Sequence, residues 1–272
     1  MISLQQPIQR DAPVGIFDSG VGGLSVLKRV RAQLPAETLL YCADSLHTPY
    51  GGKSPDQIRQ RALALTDFLV RQGAKAIVVA CNTATAAAVT ALREHFSLPV
   101  IGMEPAVKPA VIATKSGVVG VLATVGTLKS SQFAALLEHY GRDVEVVTEA
   151  CHGLVECVER GELDAPATRA LVRRYVTPLL AQGADTIVLG CTHYPFLRTL
   201  IEQEAGSEVT IIDTGGAVSR QLQRRLAELD LLKRTGGGEY FWTSGEVTQV
   251  ETVISHLWGA PVAVARLPKE SQ

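Results

Sequence analysis

No run of this 272-residue sequence is long and apolar enough to suggest a membrane span. The longest candidate, residues 73–92, is interrupted by Lys75, Asn82 and threonines, and reads as a strand followed by a helix. Neither sign of charge dominates. With 26 Lys+Arg against 27 Asp+Glu there is no basic face for nucleic acid and no acidic solvated tail. Aromatics are scarce at 5%, while apolar residues reach 46%, mostly Ala, Val and Leu; with abundant Gly this is the composition of buried parallel strands packed by helices. The five cysteines (Cys42, Cys81, Cys151, Cys157, Cys191) are odd in number and contain no CxxC pair, which argues against a zinc or dithiol redox motif and for free thiols in a reducing compartment, the cytoplasm. The opening Met1–Arg10 lacks the basic-then-apolar pattern of a secretory leader.

Short apolar runs alternate with longer amphipathic stretches. Strands are expected at 14–17, 38–42, 76–80, 118–122, 144–147, 186–190 and 208–212. Helices are expected at 24–33, 54–72, 84–95, 128–140, 167–182, 195–205 and 216–231, and the tail reads as two short strands around a helix. Such alternation makes βαβ units and parallel sheet. An internal repeat sharpens this. Residues 72–81 (QGAKAIVVAC) align with residues 182–191 (QGADTIVLGC) at an offset of 110, six of ten positions being identical. Val14-Gly15-Ile16-Phe17 aligns with Val119-Gly120-Val121-Leu122 at an offset of 105. The expected architecture is therefore α/β, in two pseudo-symmetric parallel-sheet halves, with the seam near 100–106 where Pro99, Pro105 and Pro109 cluster.

Each half places a cysteine directly after a buried strand, the end at which open α/β sheets bind ligands. Cys81 is followed by Asn82-Thr83 and Cys191 by Thr192-His193. One such cysteine is ordinarily a small core residue. Two at repeat-related positions, each followed by hydrogen-bonding side chains, point instead to paired chemistry. Two equivalent thiols on opposite faces of a ligand can invert a stereocentre, one taking a proton and the other giving one; an ordinary thiol is mostly protonated near neutrality and needs a tuning neighbour. Asp18 and Ser19 precede the glycine turn 20–23, where Ser25 stands in the third glycine position and breaks the dinucleotide fingerprint G-x-G-x-x-G. Asp18 suits thiol tuning or an ammonium contact. The loop Thr48–Lys53, with Tyr50 and Gly51, offers backbone N–H groups to a carboxylate. Glu149 follows the strand 144–147, before Cys151, and so also stands at the ligand end; the position of His193 favours a proton role. A non-catalytic two-lobed anion-binding module is the competing class, but binding a carboxylate needs no thiols. A spatial Cys81–Cys191 redox pair is a third option.

The strings GIFDSGVGGLSVL (15–27), ADSLHTPYG (43–51), ACNTAT (80–85), TEAC (148–151) and GCTHYPFL (190–197) closely resemble the glutamate racemase family, over nearly the whole chain. The resemblance implies a cofactor-independent enzyme, needing neither pyridoxal phosphate nor metal, that interconverts L- and D-glutamate and supplies D-glutamate for peptidoglycan. It implies Cys81 and Cys191 as the acid/base pair. Asp18 would assist on the Cys81 side, His193 on the Cys191 side, and Glu149 as a further helper. Ligand contacts would come from Asp18, Ser19, Tyr50, Gly51, Asn82, Thr83, Thr192 and His193. It further implies a first domain of residues 1–103 completed by 214–272, a second of 104–213, and the active site in the cleft between them. His193 bears on the substrate, because related aspartate racemases characteristically carry Glu there; a racemase for aspartate or another acidic amino acid remains the nearest alternative. Where many members have Cys-Pro this chain has Cys151-His152. Some bacterial members are activated by a peptidoglycan precursor through an N-terminal extension and some inhibit DNA gyrase; the stretch before Val14 speaks to neither. Oligomeric state is not legible in the residues, a homodimer being one option.

Overall fold

The computed structural model describes residues 9–271; the start of the segment read above as no secretory leader, through Ile8, lies outside them, as does Gln272. In chain order the described residues form β1 (Val14–Asp18), α1 (Leu24–Gln33), β2 (Thr38–Ala43), α2 (Pro55–Arg71), β3 (Ala76–Val79), α3 (Asn82–His95) and β4 (Val100–Ile101). There follow α4 (Val107–Ala113), β5 (Val118–Ala123), α5 (Val125–Leu128), α6 (Ser131–Tyr140), β6 (Glu145–Ala150), α7 (Leu154–Glu159), α8 (Pro166–Ala181), β7 (Thr186–Leu189), α9 (Arg198–Ala205) and β8 (Thr210–Ile212). The chain ends with α10 (Gly215–Glu228), β9 (Gly238–Thr243), α11 (Val247–Trp258) and β10 (Val264–Arg266).

Two parallel sheets result, in the orders β10-β9-β2-β1-β3-β4 and β6-β5-β7-β8. The core order 2-1-3-4 of the first recurs as 6-5-7-8 in the second, so the sequence repeat is a repeat of topology. Val14 pairs with Ala76 in one sheet and Val119 with Thr186 in the other; the two sequence offsets are thus one spatial equivalence. The central strands β1, β3 and β7 are buried at every position, as helices on both faces require. The C-terminal β9 and β10 extend the first sheet beside β2.

Local chemistry sets the element ends. Ser54 caps α2 in a reciprocal capping box with Gln57, and Pro55 opens the helix. Gly73 and Gly183, repeat-related, each follow a helix with φ of +85° and +86°, the left-handed stop that glycine adopts without strain. The expected helix 128–140 is two helices, because Thr124 caps α5 and Ser130 caps α6. The helix expected at 195–205 begins as a 3₁₀ turn, Tyr194–Leu197. Two short elements, β4 and α4, were not expected, whereas α7 falls where Cys157 reads as part of a helical stretch.

The position after the repeated Gly-Ala is filled with opposite chemistry in the two halves. Lys75, fully buried, ion-pairs with Glu37 at 2.6 Å and donates to the carbonyls of Arg10 and Leu231. Asp185 accepts from Thr114 Oγ1 at 2.6 Å and from the N–H groups of Lys115 and Ser116 at 2.7 Å. Either way the segment leading into the central strand is tied to the segment that leads into the strand beside it, Arg10 before β1 and residues 114–116 before β5. These bonds outweigh the burial that would raise the Asp185 carboxyl and hold it at about 2. A lowered folded value makes this contribution complete above about pH 4, and lost as pH falls toward 2. D185N should therefore cost on the order of 1 kcal/mol at pH 7, after allowance for solvent screening. In urea melts its difference from wild type should narrow at pH 3; an undiminished gap there would refute the assignment.

Candidate active site

The carboxyl ends of β1, β3 and β7 meet where the two halves face each other. Cys81 stands between β3 and α3, and as helix cap its Sγ accepts the Ala84 N–H at 3.4 Å. Cys191 follows β7 and lies before the 3₁₀ turn. Both thiols line one small cavity with Ser19, Tyr50, Gly51, Asn82, Thr83, Thr192 and His193. Every predicted site residue is thus in this wall except Asp18 and Glu149. The second half adds Thr124 and Val155. Thr124 was legible in principle: the 105-residue offset carries Ser19 onto it.

Asp18 lies one layer behind the wall, fully buried. Its carboxylate accepts Ser19 Oγ at 3.3 Å, the Gly23 N–H at 2.7 Å and Thr192 Oγ1, from the other half, at 3.4 Å. Cys81 Sγ donates to Ser19 Oγ at 3.8 Å, which completes a path from thiol to carboxylate. Burial pushes the Cys81 thiol well up, and the Asp18 charge adds to this. Burial also raises Asp18, against the pull of His193. On the other side His193 Nδ1 lies 3.6 Å from Cys191 Sγ, and its Nε2 lies 2.6 Å from Glu159 Oε1. Burial acts to lower His193, but its hydrogen bonds to Cys191 and Glu159 outweigh that and hold it well above the ordinary histidine range. One sulfur is therefore linked through Ser19 to an aspartate, and the other lies beside a histidine ring.

Glu149 is a correction. β6 runs through Ala150 and not only to Val147, so Glu149 is a residue of that edge strand near Cys151 and does not follow it. The acid that meets His193 is Glu159, at the end of α7. The apolar spacing Leu154, Val155, Val158 and the following Gly161 were its signal.

Glu159 also joins the halves. Its Oε1 accepts the Val21 N–H of the glycine turn at 2.7 Å. Ser25 Oγ donates to the Thr192 carbonyl at 2.8 Å, and Thr83 and Thr124 hydroxyls meet at 2.9 Å. The turn admits this approach because Gly20 and Gly22 carry no side chain: a Cβ on Gly22 would lie 2.3 Å from the His193 ring, and one on Gly20 1.9 Å from Glu159. The enclosed cavity measures about 10 Å³, room for a single water. Inside it the Asn82 amide is buried with neither its nitrogen nor its oxygen hydrogen-bonded among the described residues, an arrangement that calls for a polar ligand.

The model for the Asp/Glu/Hydantoin racemase family matches residues 14–222. The chain belongs to that family. Glutamate racemase of Ectopseudomonas mendocina is 57% identical over 94% of this chain and 98% of its own length. Among solved racemases of the family, isoform RacE1 of the Bacillus anthracis glutamate racemase superposes with a TM-score of 0.89 at 34% identity, covering 97% of this chain and 100% of that one. The Escherichia coli glutamate racemase, solved with L-glutamate and the activator UDP-MurNAc-ala, gives 0.84 at 30% identity over 94% and 98%. Both are two-domain α/β structures like the racemase described here. No helix among the described residues is long and apolar enough to cross a membrane.

Proposed function

We propose that this chain is a glutamate racemase that interconverts L- and D-glutamate by proton transfer between two cysteines, and so supplies D-glutamate for peptidoglycan synthesis in the cytoplasm. The observation that carries the reading is the pair of repeat-related thiols lining one cavity, one linked through Ser19 to Asp18 and the other next to His193. The near-full-length similarity to glutamate racemases supports the choice of substrate.

One sulfur, as thiolate, takes the α-proton from one face of the amino acid. The other, as thiol, delivers its proton to the opposite face of the carbanion. No electron changes hands, and the sulfurs finish with protonation states exchanged. Asp18, through Ser19, serves Cys81; His193, oriented by Glu159, serves Cys191. The unpaired Asn82 amide, Ser19, the Tyr50–Gly51 backbone, Thr83 and Thr192 are assigned to the substrate's ammonium and carboxylates. Closure excludes water, which strengthens every charge contact inside. A 10 Å³ cavity does not hold an amino acid, so the halves part to admit one. The accompanying domain division is 1–103 with 214–272, and 104–213; the membership of β9 and β10 in the first sheet supports it.

The test is isotopic. Starting from one enantiomer in heavy water, product should carry α-deuterium from the first turnover, while recovered substrate stays mostly unlabelled at low conversion. The pattern should mirror itself from the other enantiomer. Protiated early product from either enantiomer would show a single base serving both faces. Aspartate run in parallel reads the specificity.

A further inference from the structure

Asp44 is the first residue beyond β2, fully buried, with four donors converging on its carboxylate. The Arg61 guanidinium on α2 forks it, Nε to Oδ2 and Nη2 to Oδ1, both at 2.9 Å. Tyr50 OH donates to Oδ2 at 2.5 Å, and His47 Nδ1 lies 3.0 Å from Oδ1. Arg61 Nη2 also donates to the Ser271 carbonyl at 2.8 Å, so the end of the described chain is part of the assembly. Leu267 packs into the same buried cluster as Tyr50, Ile58 and Phe68. The arginine holds the Asp44 carboxyl below its ordinary range despite the burial that would raise it.

None of Asp44, Arg61 or Ser271 lines the cavity; Tyr50 and Gly51 do. The Tyr50–Gly52 turn is also where the first half touches the second, since a Cβ on Gly51 would lie 2.9 Å from Thr124 Cβ. The thiols, by contrast, are placed by β3 and β7, outside this assembly. We propose that Arg61, acting through Asp44 and braced by the Ser271 carbonyl, is a positioning residue that fixes the Tyr50–Gly51 wall and thereby sets substrate affinity, leaving proton transfer to the elements that carry the sulfurs. This rests on the racemase reading for its kinetic arm alone.

In R61M the buried carboxylate keeps Tyr50 but loses its fork, and the wall loses its brace. KM for both enantiomers should rise roughly tenfold or more while kcat stays within about threefold, the signature of lost binding common to ground and transition states. R61K should rescue only in part, because an ammonium supplies charge without the fork. Y50F and R61M should be less than additive in KM, since both act through Asp44. Amide exchange of residues 50–53 should speed up in R61M while that of α3 is unchanged. A parallel fall of kcat and kcat/KM, an unchanged KM, additive effects, or unaltered exchange of residues 50–53 would each overturn the proposal. Failure of the wild type to racemise glutamate would instead defeat the substrate reading, and the exchange measurement would still decide the role of Arg61.

Discussion

C81A and C191A should each lower kcat for glutamate racemisation by roughly 10²–10⁴-fold or more, in both directions, which is the scale of a lost acid/base group. Both directions suffer because each sulfur is base in one and acid in the other. The fold should survive, since removing one small sulfur from a buried site costs about 1 kcal/mol. Cys42, buried in β2, Cys157, buried in α7, and Cys151, whose thiol burial pushes well up, do not line the cavity. Their alanine variants should keep kcat near wild type, with losses tracking melting temperature. Racemisation at the wild-type rate by C81A would end the two-thiol assignment.

G22A should rival those variants without touching a reacting atom. The new Cβ would occupy the space of the His193 ring, 2.3 Å from Nδ1, so the ring must move or the halves stand apart. Either outcome displaces the partner of Cys191, and misplacement by an ångström is worth on the order of 10²-fold in rate. kcat/KM should fall by about that factor. Thermal stability should change little, because the clash is relieved by opening the seam rather than by unfolding either sheet. Wild-type kinetics in G22A would show that the two halves do not need this approach.

Much of this was legible in residues alone. Buried β1, β3 and β7 announce themselves as apolar runs, and the repeat located both sulfurs and foretold matching sheet orders. Thr124 follows from the same repeat. What escaped was set by tertiary contact. The helical stretch around Cys157 does not say which acid meets His193, so the acid was sought at Glu149, the first carboxylate after an apolar run, and not at Glu159. The true extent of β6, through Ala150, follows from its pairing with β5, in which Ala123 lies opposite Ala150; a strand's own sequence does not contain that partner. Asp44 and Arg61 read as ordinary loop and helix charges, because nothing local records that a chain end 210 residues away lies against the arginine.

All five cysteines are free and buried, and the two in the cavity line a space with room for a single water. On the proposed opening of the halves, damage and turnover draw on the same opened population. An oxidant or alkylating agent reaches these sulfurs only along the route the substrate takes, and whenever the halves are shut the vulnerable atoms are out of reach. The enzyme's chemical lifetime is in this sense metered by its own opening, and a variant that opens more readily gains access at the expense of durability.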